Sequence, residues 1–186
     1  MKTEHALAKA LKEMMASQSL DSISVMELSK RCGVSRKTFY YHYHDIYDLL
    51  TQVFLDEKIP NITTANNYDD LVNIVWKYYQ ANDKFINATI QSAGKDLFVE
   101  FIFHIFYVST IRFINKYEDA KKISITVKQS IARFYASGYT NSIVYYLTNY
   151  KKKTIEGMKN SFIFLEDNKV KKSIQIALKN IENKAK

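Results

Sequence analysis

Ser35-Arg36-Lys37-Thr38 is followed at once by Tyr40-Tyr41-His42. Arginine and lysine can donate to the O6 and N7 edge of guanine, and threonine can meet a thymine methyl. Phenol and imidazole groups can donate to phosphate oxygens. Residues 30–44 hold Lys30, Arg31, Arg36 and Lys37 and no acid, a local positive field suited to a polyanion. Catalytic chemistry has no comparable signature. There is no Gly-rich phosphate loop, no His-Glu-x-x-His, no nucleophile elbow and no Cys-His pairing by motif. His5, His42, His44 and His104 make no metal-ligand spacing, because His42 and His44 would face different sides of one element. No catalytic residue, metal or cofactor is expected, and an enzyme is the disfavoured reading.

The elements that must carry these residues follow from Ser24–Leu50. Ser24-Val25-Met26-Glu27 reads as a capping box that starts a short helix. Gly33 after Cys32 supplies a left-handed turn, and Ser35 caps the next helix almost at once. Helix, glycine turn and capped helix within so few residues is the spacing of a helix-turn-helix, whose second helix enters the DNA major groove. Leu28, Val34, Phe39 and Tyr43 fall where they would be buried against a first helix over 3–18, which carries Leu7, Ala10, Leu11, Met14 and Met15 on one face. Ser24, Ser35, Arg36, Lys37, Thr38, Tyr40, Tyr41 and His42 are the candidate DNA-binding residues. For Arg36 and Lys37 the alternative is a solvated helix face, for Tyr40 and Tyr41 half-buried packing, and for His42 an ordinary surface histidine.

The remaining sequence reads as helical throughout. Gly (4) and Pro (1) are scarce, and no sustained period-two alternation is present. Asp45 caps a fourth helix that ends near Ile59-Pro60. The polar run 61–67 is a loop and the domain boundary. Helices follow over 69–80, 83–91, 96–116 and 125–150, with a last segment interrupted near Glu166-Asp167-Asn168. The helix over 96–116 is apolar almost all round, which marks a central, buried one. Its bulk would leave a cavity, with Asn87, Gln91, Phe101, His104 and Arg112 as candidate ligand-binding residues; the alternative for the aromatic stripe is plain core, and for His104 a satisfied core histidine. Ile131, Phe134, Tyr135, Gly138, Ile143, Tyr146 and Leu147 form one broad face of the 125–150 helix. That face and the last helix would make a four-helix dimer interface, with packing inside the subunit as the alternative for part of it.

Gly33, Val34, Ser35, Arg36, Thr38, Phe39, Tyr40, Tyr41 and His42 together resemble the recognition-helix pattern of the TetR/AcrR family of bacterial transcriptional regulators. The resemblance is clear over about residues 1–55; farther on it extends only to length and helical character. Thr-Phe-Tyr-Tyr-His followed by Asp-Ile-Tyr-Asp-Leu-Leu is also similar to the branch around the dihydroxyacetone kinase operon regulators. The resemblance implies an all-α chain with a three-helix DNA-binding domain over 1–50 and a helical ligand-binding and dimerisation domain over 51–186. It implies a homodimeric repressor on a palindromic double-stranded operator, released by a small-molecule effector bound in the C-terminal domain. The branch implies the alternative, an activator answering to a protein co-regulator. Three positions depart from the family pattern: His44 and Ile46 stand where Lys is frequent, and Tyr43 stands where Phe is usual, a core position whose hydroxyl would reach the surface. The absence of lysine at His44 and Ile46 leaves open an adaptor whose head has lost DNA affinity.

Composition agrees with a globular protein. The 186 residues carry 27 Lys+Arg against 19 Asp+Glu, a net charge of +8, with 47% apolar and 14% aromatic residues. The excess is uneven. Residues 1–50 hold 7 basic and 6 acidic residues, 51–100 hold 4 and 7, and 101–186 hold 16 and 6. The C-terminal lysines Lys151–Lys153, Lys169, Lys171 and Lys172 read as solvated helix ends and faces. One cysteine, Cys32, excludes an intramolecular disulfide, and it should fill a small buried position. No run of 18 uncharged apolar residues and no secretory pattern after Met1-Lys2-Thr3-Glu4-His5 is present. The expectation is a reduced, cytoplasmic protein with no membrane partner.

Overall fold

The computed structural model describes residues 2–162 and 169–184. Among the described residues every regular element is helical: α1 Lys2–Met15, α2 Val25–Arg31, α3 Arg36–His42, α4 Ile46–Asp56, α5 Tyr68–Ala81, α6 Asp83–Ile90, α7 Lys95–Ile114, α8 Ile125–Asn149, α9 Ile155–Asn160 and α10 Lys169–Lys184. Single 3₁₀ turns cover Leu20–Ser22, Ile62–Thr64 and Glu118–Lys122. The chain divides into two compact units. One comprises Met1–Lys58 with Tyr78–Phe101, the other Ile59–Lys77 with Ile102–Lys186.

In the first unit α1 packs on α2, α4 and α6, and α2 packs on α3. Leu7, Leu11, Leu28, Phe39, Leu49 and Leu50 are fully enclosed there. Each such side chain stabilises the fold by about 1.5–3 kcal/mol relative to exposure. Three helix starts are capped as the sequence requires. The side-chain oxygens of Ser24, Ser35 and Asp45 accept from the backbone N–H groups of Glu27, Thr38 and Asp48. Gly33 has φ +66°, the left-handed turn between α2 and α3. Phe54 of α4 holds an aromatic cluster, with ring centroids 5.6 Å from Phe85, 6.2 Å from Phe98 and 5.3 Å from Phe101. Residues 78–101 therefore share a core with the helix-turn-helix.

The second unit is built on stacked aromatics. Tyr139 of α8 lies between Tyr68, at 4.4 Å and 16°, and Phe106, at 5.1 Å and 8°. Phe162 meets its ring at 5.0 Å. The Tyr68 hydroxyl shares a hydrogen bond of 2.8 Å with Thr110, and burial pushes its pKa far up. Arg112 donates to the carbonyls of Thr63, Ile62 and Ala65, so the polar loop before α5 is tied down by the end of α7.

Several boundaries differ from the sequence reading. The first helix ends at Met15, and α4 ends at Asp56. Pro60 disfavours a helical Ile59, and the chain already turns extended at Glu57. The last segment is two helices, α9 and α10; the expected break at 166–168 lies outside the described residues. The helix α7 is long and apolar enough to suit a membrane span by length and composition. Phe98, Ile102 and Phe106 are enclosed, but fewer than half of the helix's residues are, and Val108 is exposed, so the helix is covered on one side and is not the all-round buried one its composition suggested. His104 is not a core histidine: it is exposed. Cys32 is half-buried, its thiol directed to the Ala6 carbonyl at 3.6 Å. Tyr135, Ile143, Tyr146 and Leu147 of the broad α8 face are buried within the subunit, whereas Phe134 is 73% exposed.

The Tyr146 hydroxyl accepts from the Thr154 N–H at 2.9 Å, and a Cβ on Gly157 would collide with that hydroxyl and its ring. Gly157→Ala should cost about 1–3 kcal/mol in urea unfolding. In a Tyr146→Phe background, where the hydroxyl is gone, the same substitution should cost visibly less.

Candidate nucleic-acid interface

The helix α3 has only seven residues, too few to persist alone in water. Its start is held by Ser35, whose Oγ accepts from the Thr38 N–H at 3.0 Å and lies 2.8 Å from Thr38 Oγ1. Its middle is held by Phe39, fully buried, and its end by Tyr43, 7% exposed. The Tyr43 ring lies 5.8 Å from Phe39, and burial raises its phenol pKa. These anchors turn the opposite face outward.

Lys37 lies on that face, and Arg36 sits in the first turn on the Phe39 side; both are exposed, with no ion-pair partner among the described residues. Arg31, by contrast, is bound to Glu13 at 3.0 Å. Tyr40 is 51% exposed, edge-on to Phe39 at 5.5 Å, and Tyr41 is 84% exposed. His42 is more enclosed, its Nδ1 3.5 Å from Glu4 Oε1 on α1. Ser24 is exposed at the start of α2. The Glu27 half of the expected capping box is turned away, its carboxylate 3.5 Å from Gln18 Nε2. Ser35, Arg36, Lys37, Thr38, Tyr40 and Tyr41 thus lie on or at the start of one short helix, with His42 at its end, whereas Ser24 caps α2.

Of the departures from the family pattern, Tyr43 and Ile46 are both buried, 7% exposed, and so are core positions here. His44 is exposed, and its N–H donates to Asp48 at 2.9 Å. Tyr47 donates to the Asp21 carboxylate, which raises the phenol pKa. Burial raises the Cys32 thiol as well, so it is a poor thiolate at neutral pH.

The five candidate ligand residues occupy different settings. Asn87 and Gln91 line one open depression with Lys84, Ala88 and the Met15–Ser19 turn. The Asn87 amide is hydrogen-bonded to the Tyr79 hydroxyl at 3.2 Å. Phe101 packs on Phe54 and Tyr78. Arg112 is occupied by three loop carbonyls, and His104 faces solvent. Sequence reasoning passed over Lys12 and Glu57, 45 residues apart, which form a close ion pair. No local spacing signals such a contact.

Residues 7–53 match the family model described as "Bacterial regulatory proteins, tetR family". Residues 66–165 match the model described as "Transcriptional regulator C-terminal region". The chain belongs to the TetR family of bacterial transcriptional regulators. Membership implies DNA binding and, as a rule, dimerisation. Among solved structures, the chain is similar to one described as "Dihydroxyacetone kinase operon activator DhaS", at 17% identity and TM-score 0.49 over 97% of this chain and 96% of that one. No curated protein sequence matches.

Ser35→Ala should lower stability by about 1 kcal/mol in urea unfolding. Ser35→Asp, which keeps an acceptor at the cap and suits the positive end of the helix dipole, should retain it.

Proposed function

We propose that this protein is a homodimeric, sequence-specific repressor acting in the cytoplasm on a palindromic double-stranded operator. Residues 1–50 serve as the DNA-binding domain and 51–186 as the regulatory and dimerisation domain, where an effector binds. The observation that carries this reading is the capped helix α3 with Arg36, Lys37, Tyr40 and Tyr41 exposed along it. Arg36 and Lys37 read base edges. Ser24, Ser35, Thr38, Tyr40, Tyr41 and His42 fix the helix on the backbone.

Two recognition helices must lie about 34–36 Å apart to enter successive turns of the major groove. An effector that binds one spacing better than the other shifts the equilibrium and releases DNA. For the dimer, the outward stripe of α8 supports the proposed face. Phe134 and Tyr145, 73% and 63% exposed, flank Gly138, whose position is open. Ser130, Ser137, Asn141 and Ser142 lie with it in one shallow depression. Small residues between two aromatics allow a partner helix close approach.

Fluorescence anisotropy against duplex from the gene's own upstream region tests the DNA reading. Binding should weaken steeply as salt rises, and Arg36→Ala should cost about 1–3 kcal/mol of specific affinity. Affinity no greater than for random duplex would sink it. Phe134→Asp should shift the protein from dimer to monomer in sedimentation while the helical circular dichroism stays unchanged; a persisting dimer would remove α8 from the interface.

A further inference from the structure

Within the first unit, one ion pair differs from the others. Lys12 Nζ meets both carboxylate oxygens of Glu57, at 3.1 and 2.9 Å, and the two side chains are only 27% and 16% exposed. The pairs Lys9–Glu13 and Arg31–Glu13 are about half exposed or more, where such contacts contribute little. Lys12 Nζ also stands 5.1 Å over the Phe85 ring, and Phe85 belongs to the Phe54 cluster that anchors α4. Close to Glu57 lies the buried Tyr78 phenol, whose pKa is raised by burial first and then by that carboxylate.

The placement of this pair gives it leverage. Glu57 is the first residue beyond α4, an eleven-residue rod about 16 Å long. Asp45 caps the other end of the rod, two residues after Tyr43 has closed the recognition helix. The same helix α1 meets both places: Glu4 faces His42 at the end of α3, and Lys12 holds Glu57. Turning α4 on α1 would therefore strain one contact or the other, and the recognition helix would move with it.

We propose that Lys12 and Glu57 are positioning residues for DNA recognition, their ion pair fixing the angle of α4 against α1 and so the attitude of the recognition helix. The inference rests on the DNA-binding reading above. Neither residue touches DNA in this scheme. Both are half-enclosed, so removing one partner leaves the other charge poorly compensated.

The test measures anisotropy of the full-length protein on the upstream duplex, with random duplex as control, at several salt concentrations. The variants are Lys12→Met, Glu57→Gln and the exchange Lys12→Glu with Glu57→Lys. Each single variant should bind the upstream duplex about tenfold more weakly with an unchanged salt slope, and the exchange should recover much of the loss. Thermal melting under the same buffer identifies folded variants. If the single variants melt below the assay temperature, Glu57→Asp replaces them; it keeps the charge but shortens the reach, and should give an intermediate loss of affinity. Unchanged affinity in folded single variants would overturn the proposal. So would a Lys12→Met loss accompanied by a shallower salt slope and no recovery on exchange, since Lys12 would then be a phosphate contact. A wild-type chain that prefers neither duplex would remove the DNA reading, and this inference with it.

Discussion

The burial of Phe39 is the interaction on which the second helix of the helix-turn-helix depends. A seven-residue helix pays the nucleation cost of any helix and has few internal hydrogen bonds to set against it. With Phe39 enclosed and Ser35 and Tyr43 closing the two ends, the helix exists because the rest of the unit holds it. Exposed Arg36, Lys37 and Tyr41 are consequences of the same placement. Lys37 and Tyr41 lie on the side of α3 away from Phe39, whereas Ser35 caps the helix and is also a candidate contact, so the two roles meet at its first turn.

The larger organisation is two aromatic cores. Phe54 gathers α4, α6 and the first turns of α7 in one; Tyr139 gathers α5, α7 and α8 in the other. The division falls inside α5, after Lys77, and inside α7, after Phe101. Each of these helices thus contributes to both units: Phe98 and Phe106 of α7 serve different cores.

Much of the helix-turn-helix was legible in the sequence because its determinants are local. Ser24, Ser35 and Asp45 sit three residues before the amides they cap, and Gly33 marks its own positive φ. Helix existence elsewhere was equally readable from the scarcity of glycine and proline, with ends misplaced by a few residues. What local patterns could not carry were pairings across long sequence separations. Lys12 looks like one more solvated lysine until Glu57 is beside it. Arg112 looks available for a ligand until the loop carbonyls are seen to occupy it. His104, amid Phe and Ile, looks buried because a helix apolar all round gives no clue to which side is covered. The Phe54 cluster likewise draws residues 78–101 into the first unit, where a polar loop at 61–67 suggested a clean break.

The charge arithmetic of the helix-turn-helix bears on attachment to random DNA. Residues 1–58 contain as many acids as bases, eight of each, and two of the bases, Lys12 and Arg31, sit on carboxylates. Sequence-independent attachment to DNA scales with the number of phosphates neutralised. On the DNA-binding reading, the cations of this unit that have no carboxylate beside them include Arg36 and Lys37, the pair proposed to read base edges, so replacing either would weaken attachment to random duplex as well as to the operator.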